Sequence, residues 1–182
     1  NLKNCSNNPF DCFEKKFGYK PNLFMKPSED GSSIDIFKIS NDEDYKKAKL
    51  NCLNLEREFI FEESIEGREF TVTIIGNKCY PVIEIKTQND FYDYDAKYIS
   101  DDTILDQAKL SDNELNIIND IALRAFHALK CSGWARVDII QDINGNFNVI
   151  EINTVPGMTS HSCVPKSASF MGLSYQDVIK EI

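Results

Sequence analysis

The sequence predicts an α+β protein, with helices packed on one side of mainly antiparallel sheets. Three observations carry this. Apolar residues alternate with polar ones on both sides of Gly76-Asn77 and Asn144-Gly145, dipeptides that favour two-residue hairpin turns. Ser40 with Glu43, and Ser111 with Glu114, have the spacing of a helix capping box and open segments of helical period. The early elements read strand, strand, helix, strand, so hairpins and helices are mixed along the chain. At 182 residues this is one domain of ordinary size or two small lobes sharing a core.

Residues 1–20 form an Asn-rich lead-in, with either a short helix around Phe10–Phe17 or a frayed end. Its abrupt polar start suggests a chain cut from something longer. Strand-like runs follow at Asn22–Lys26, Ile34–Ile39 and Glu58–Glu62. Between the last two, the Ser40 box opens a helix with Tyr45, Ala48 and Cys52 on one face. The run from Arg68 to Thr87 reads as two strands joined at Gly76-Asn77. Residues 88–101 are aromatic, charged and aperiodic, which predicts a loop. The Ser111 box opens a helix with Leu115, Ile118, Ala122, Ala125, Phe126 and Leu129 on one face and Gly133 as its stop. Strands are expected at WARVDII and FNVIEIN, a loop over 154–163, a short helix after Val164, and a last helix capped by Ser174 with Asp177.

Composition removes several classes of function. Hydrophobic residues make up 42% of the chain, enough for a core without staples. The net charge of −9 gives no basic footprint for nucleic acid or an anionic membrane. The six cysteines contain no C-x-x-C pair and there are two histidines, which argues against zinc and for reduced thiols in a cytosolic protein. The sequence shows neither a signal pattern nor an apolar run of membrane-spanning length.

The most informative segment is RVDIIQDINGNFNVIEIN. If Asn144-Gly145 forms a two-residue turn, cross-strand pairs sum to 289, which sets Asp138 opposite Glu151 and Arg136 opposite Asn153. Alternation puts these four on one face, and Val137, Ile139, Ile150 and Ile152 on the other, as core. Two carboxylates and an amide oxygen at that spacing suit a hard divalent cation, magnesium or manganese. The same pattern fits an edge hairpin with a wet polar face and an ordinary Arg–Asp pair. A longer loop at the turn would shift the register.

Other segments are less specific. MKPSEDGSS places Lys26 at a strand end and Gly31-Ser32-Ser33 in the following turn, where backbone N–H groups and the lysine suit phosphate, although such a loop is more often only a tight turn. FYDYDAKY, residues 91–98, is either a lid or a solvated crossover. Asp90, Asp93 and Asp95 do not match an EF-hand. His161-Ser162 lacks a nucleophile elbow, and NTVPGMTSHS reads better as an active-site loop with backbone N–H groups facing a ligand.

Taken together, KPSEDGSS, FEESIEGREFTVTIIG, FYDYDAKY, GWARVDII and IEINTVPGMTSHSCVP resemble the D-alanine–D-alanine ligases from about Pro21 to Ile182. The resemblance implies an ATP-grasp fold of two lobes, residues 21–66 being most of the small one and 67–182 the large C-terminal one. It implies ligation of two D-alanines through an acyl phosphate for peptidoglycan, and so for cell wall and cell shape, in the cytoplasm, with ATP and Mg2+ or Mn2+. It assigns Lys26 to ATP phosphate, with Ser32 and Ser33 in the loop over it. Glu62 goes to the adenine amino group, Glu63 and Ile65 to hinge contacts with the base, and Glu69 to the ribose. Lys97 and Tyr98 fall on the lid. Tyr98 would act with Ser32 and a distant glutamate on the first D-alanine, and favours D-alanine over D-lactate as the second substrate. Asp138, Glu151 and Asn153 match the metal ligands, Arg136 and the Gly157 N–H the oxyanion donors, and Ser162 with the Cys163 backbone the site of the second carboxylate. Departures are Asp35 within IDIFKI, unexpected beside phosphate, and Cys163 where an aliphatic residue is usual. The family's N-terminal domain, with that glutamate, an upstream ATP-binding lysine and most of the dimer interface, is expected to be missing. The alternatives are an inactive nucleotide-binding fragment or another ATP-grasp carboxylate–amine ligase.

Overall fold

The computed structural model describes residues 8–29, 35–52, 57–86, 103–159 and 161–182. They divide into two compact units that meet at Ile65 and Glu66 in the chain.

The first unit opens with α1 (Pro9–Phe17). Asn8 caps it by accepting from the Phe10 N–H, Pro9 occupies the first turn, and Gly18 closes it at φ 84°. Three antiparallel strands follow in the order β2-β1-β3: β1 (Leu23–Pro27), β2 (Phe37–Ile39) and β3 (Phe59–Glu63). Burial alternates along β1, so Leu23 and Met25 face the core and Phe24 and Lys26 face away. Against Leu23, Met25 and Ile39 lie Phe10 of α1 and Tyr45, Ala48 and Cys52 of α2 (Asp42–Cys52). The three α2 residues are the expected ones, but the cap is not Ser40. Asn41 Oδ1 accepts from the N–H groups of Glu43 and Asp44, and the Asp44 carboxylate takes the Ser40 N–H. An amide oxygen one residue later satisfies the same orphan donors.

The second unit is a six-stranded antiparallel sheet of β4 (Gly67–Ile75), β5 (Lys78–Cys79), β6 (Ile83–Lys86), β7 (Ile104–Gln107), β8 (Trp134–Asp142) and β9 (Phe147–Asn153). Its order is β7-β6-β4-β8-β9, with β5 paired to β4. The turn at Gly76-Asn77 is as expected, but the returning strand is broken in two. Pro81 has no N–H to give to the ladder, and pairing with β4 shifts by one residue between Ile74↔Cys79 and Thr71↔Ile83. β7 pairs with β6 at the sheet edge and was not expected.

One sheet face carries Phe70, Val72, Ile74, Ala135, Val137 and Ile139, covered by Ile118, Ala122 and Phe126 of α3 (Asp112–Ala128). The Ser111–Glu114 capping box is fully formed. Gly133 is not the helix stop. α3 ends at Ala128, Lys130 takes the left-handed conformation at φ 53°, and Leu129 is exposed. Gly133 instead accepts from the Gly76 N–H through its carbonyl at 2.6 Å. On the other face, α4 (Cys163–Ser169) and α5 (Tyr175–Glu181) bury Val164, Ala168 and Val178 with Ile75 and Tyr80. Ser174 and Asp177 complete the box that opens α5.

The β8–β9 hairpin reaches the expected site by another route. Its loop has three residues, Ile143, Asn144 and Gly145. Asp142 N–H donates to the Asn146 carbonyl at 2.9 Å, and Gly145 takes φ 86°. Pairs therefore sum to 288 from Gln141↔Phe147 to Ile139↔Val149. A β-bulge between Asp138 and Ile139 then absorbs Ile150 and restores Asp138↔Glu151 and Arg136↔Asn153. Ile150 is thus not a core residue. Phe147 and Ile152 pack against the core from β9 instead.

Candidate functional site

The alternation that buries Val72 and Val137 turns Thr71, Thr73, Arg136 and Asp138 to the opposite face, where Thr71 pairs with Asp138 and Thr73 with Arg136. Glu151 and Asn153 continue this polar face on β9. Asp138 is 5% exposed. Arg136 grips it as a fork, Nε to Oδ1 at 2.8 Å and Nη2 to Oδ2 at 2.7 Å. Thr71 Oγ1 donates to Oδ1 at 2.6 Å. Asn153 Nδ2 lies 3.3 Å from Asp138 Oδ2 and 3.4 Å from Glu151 Oε1.

Burial works against the Arg136 charge, but the Asp138 carboxylate and its hydrogen bonds outweigh it, and the pKa is raised. The guanidinium is a permanent cation. Cys163 lies in the same neighbourhood. Burial pushes its thiol up to about 11, with Arg136 opposing and Asp138 and Glu69 reinforcing the shift. It packs with Ile83 and Ile85 as a neutral apolar side chain, which explains why a cysteine is tolerated there.

The loop after β9 returns beside this face. Ser162 caps α4 without bonding its backbone; its hydroxyl accepts from the Thr159 N–H at 2.9 Å. A Cβ at Gly157 would stand 3.1 Å from Ser162 Oγ, so the loop is tight there. That engaged serine does not have the surroundings of a hydrolase nucleophile.

In the first unit, Lys26 Nζ lies 2.5 Å from Glu62 Oε2, both groups rising from the outer face of the β1–β3 pair. Tyr19 Oη donates to Glu63 at 2.8 Å. Asp35, left-handed at φ 56°, is taken by Arg57. Its charge is therefore matched within the protein. Ile65 is half-buried in the β3–β4 connection, and Glu69 sits on β4. Ser32, Ser33, Lys97 and Tyr98, with Asp90, Asp93 and Asp95, lie outside the described residues.

The polar face fits a small hard cation. Asn153 Nδ2 bridges the Asp138 and Glu151 carboxylates, and with the amide turned over all three side chains offer oxygen to the same place. Among the described residues no three His, Cys, Asp or Glu side chains form a metal cluster. Thr71 and Thr73 went unnoticed in the sequence. Their signal is the polar period-two pattern of T-V-T inside an apolar strand. Thr73 is 1% exposed, and its hydroxyl has no partner among the described residues.

A family model described as D-ala D-ala ligase C-terminus matches residues 2–182. The D-alanine–D-alanine ligase of Mannheimia succiniciproducens is 40% identical over 161 residues, 88% of this chain and 52% of that protein. That of Marinomonas sp. is 41% identical over 175 residues, 94% of this chain and 55% of that protein. The crystal structure of the D-alanine–D-alanine ligase from Bacillus anthracis complexed with ATP matches with a TM-score of 0.79 at 28% identity, covering 98% of this chain and 56% of that one. The D-Ala:D-Ser ligase from Enterococcus faecalis gives 0.79 at 30% identity, covering 94% and 50%. The chain spans about half the length of the curated relatives it matches. No helix among the described residues is long and apolar enough to cross a membrane.

Proposed function

The chain belongs to the D-ala D-ala ligase C-terminal family, with the α+β ATP-grasp fold of its structural neighbours, and we propose that it is the nucleotide- and metal-binding part of an enzyme that joins two D-alanines. The observation that carries this is the single polar sheet face on which Arg136, Asp138, Glu151 and Asn153 converge. Lys26 and the Ser32–Ser33 loop hold ATP phosphates, with Lys97 on the lid. Glu62 holds the adenine amino group, Glu63 and Ile65 the base through backbone, and Glu69 the ribose.

A carboxylate oxygen of the first D-alanine, held by Tyr98 and Ser32, attacks the γ-phosphorus and ADP leaves. The amine of the second D-alanine, its carboxylate at Ser162 and the Cys163 backbone, then attacks the acyl carbon. Phosphate departs with its bridging oxygen and the amine sheds a proton. Arg136 and the Gly157 N–H stabilise the oxyanion formed at that carbon. Asp138, Glu151 and Asn153 would hold a Mg2+ or Mn2+, which would supply charge neutralisation at the phosphates. Cytoplasmic location, a role in peptidoglycan synthesis and a homodimer of the full-length enzyme, formed through the N-terminal domain that the family carries, belong to the same proposal. Tyr98 favours D-alanine over D-lactate as second substrate, which a panel with D-serine and D-lactate checks.

The experiment mixes the chain with ATP, Mg2+ and D-alanine and follows nucleotide binding, ADP and dipeptide together. ADP formed in step with dipeptide supports ligation by this chain; magnesium-dependent ATP binding without dipeptide makes it a nucleotide-binding part alone. Binding indifferent to magnesium and to Asp138→Asn rejects the assignment. Where turnover is seen, Arg136→Ala lowers kcat about 10²–10³-fold, the usual loss for one oxyanion donor.

A further inference from the structure

Thr71 stands directly across the ladder from Asp138 and is 1% exposed. Its hydroxyl has one proton, and the shorter of its two contacts is to Asp138 Oδ1, 2.6 Å against 3.4 Å to the Val137 carbonyl. Arg136 Nε reaches the same Oδ1 at 2.8 Å. A carboxylate oxygen has about two lone-pair sites, so the protein itself fills Oδ1. Oδ2 receives Arg136 Nη2 at 2.7 Å and only a long contact, 3.3 Å, from Asn153 Nδ2. That is beyond the usual N–H···O range and is the contact most readily given up.

We propose that Thr71 is a positioning residue for Asp138, holding the carboxylate so that Oδ2 rather than Oδ1 is presented to a divalent cation shared with Glu151 and Asn153. This rests on the cation reading of that face. Arg136 alone does not fix the choice, because its fork grips both oxygens. Thr71 breaks the symmetry from the neighbouring strand, where a buried β-branched side chain has little rotational freedom. The same contact keeps Asp138 from swinging toward bidentate coordination.

The test is a Mn2+ titration of the chain, read by paramagnetic broadening of backbone amide signals in β8 and β9. Thr71→Val keeps the shape and removes the donor; Thr71→Ser keeps the donor and removes a methyl. Loss of a group that orients a metal ligand typically costs 10–100-fold in affinity, so Thr71→Val should weaken Mn2+ by that factor and Thr71→Ser should bind close to the parent. Thr71→Val with parental affinity, or Thr71→Ser as weak as Thr71→Val, overturns the positioning role. Asp138→Asn separates the two ideas. If it loses Mn2+ while Thr71→Val does not, the cation site stands and the role of Thr71 falls. If Asp138→Asn leaves broadening unchanged, or the parent shows none in β8 and β9, both fall. The amide spectrum reports folding of each variant, and Thr71→Ala replaces the valine if that one fails to fold.

Discussion

Replacing Asp138 by asparagine leaves the Arg136 guanidinium buried without its counter-ion. The side chains are 16% and 7% exposed for Arg136 and Asp138, so solvent screens little of the interaction. The carboxylate accepts two bonds from Arg136, one from Thr71 and a long one from Asn153. Removing one partner of a buried pair costs about 3–5 kcal/mol. Asparagine keeps one acceptor oxygen, and Glu151 remains within electrostatic reach of Arg136, so the low end, about 3 kcal/mol, applies. With a urea slope of about 2–3 kcal/mol/M, the midpoint falls by about 1–1.5 M. Trp134, the single tryptophan, lies in β8 and makes fluorescence a probe of this unit. The measurement is made in chelator, so that no cation contributes. Arg136→Met with Asp138→Leu removes both charges and should recover most of the loss. A shift below about 0.3 M, or a double variant that costs the sum of the singles, refutes the argument that the pair is buried and mutually dependent.

Gly67→Ala should destabilise the chain by about 1–3 kcal/mol or more, because its Cβ would meet the Gln141 carbonyl oxygen at 1.9 Å in a ladder that cannot move without losing pairs; denaturation with the midpoint of the parent contradicts this. Thr73→Val should stabilise by about 1–2 kcal/mol, since it removes a buried hydroxyl that makes no bond among the described residues; a loss of stability means that the hydroxyl has a partner in solution. Hydrogen bonds from the Ser111 side chain and backbone, then from Gln141, hold Glu114 down to about 2 from its ordinary 4.5. A lowered folded pKa gives stability that is present above the unfolded value and lost as pH falls through the folded one. The midpoint gap between parent and Glu114→Gln should therefore be full above about pH 5 and close toward pH 2, and a gap constant with pH goes against it.

Local chemistry made much of this legible in the sequence. Period-two alternation located β4, β8 and β9, and hydroxyl–acid spacing located the starts of α3 and α5 to the residue. The Asp138–Glu151 pairing was right although the turn was not. A glycine with left-handed freedom serves a three-residue loop as readily as a two-residue one, and the compensating bulge at Ile150 has no local signature. Thr71 and Thr73 were hidden because β-branched residues belong in any strand, and their role depends on which strand pairs with β8. Asp35 looked misplaced for a similar reason, since Arg57 reaches it from a distant point in the chain.

The most direct test is an anomalous difference map from crystals of the chain soaked with Mn2+ and a non-hydrolysable ATP analogue. The account predicts a Mn2+ peak about 2.0–2.2 Å from oxygens of Asp138, Glu151 and Asn153, with analogue phosphate on its open side. A peak held by other residues, or none on that sheet face while the analogue is bound, contradicts it.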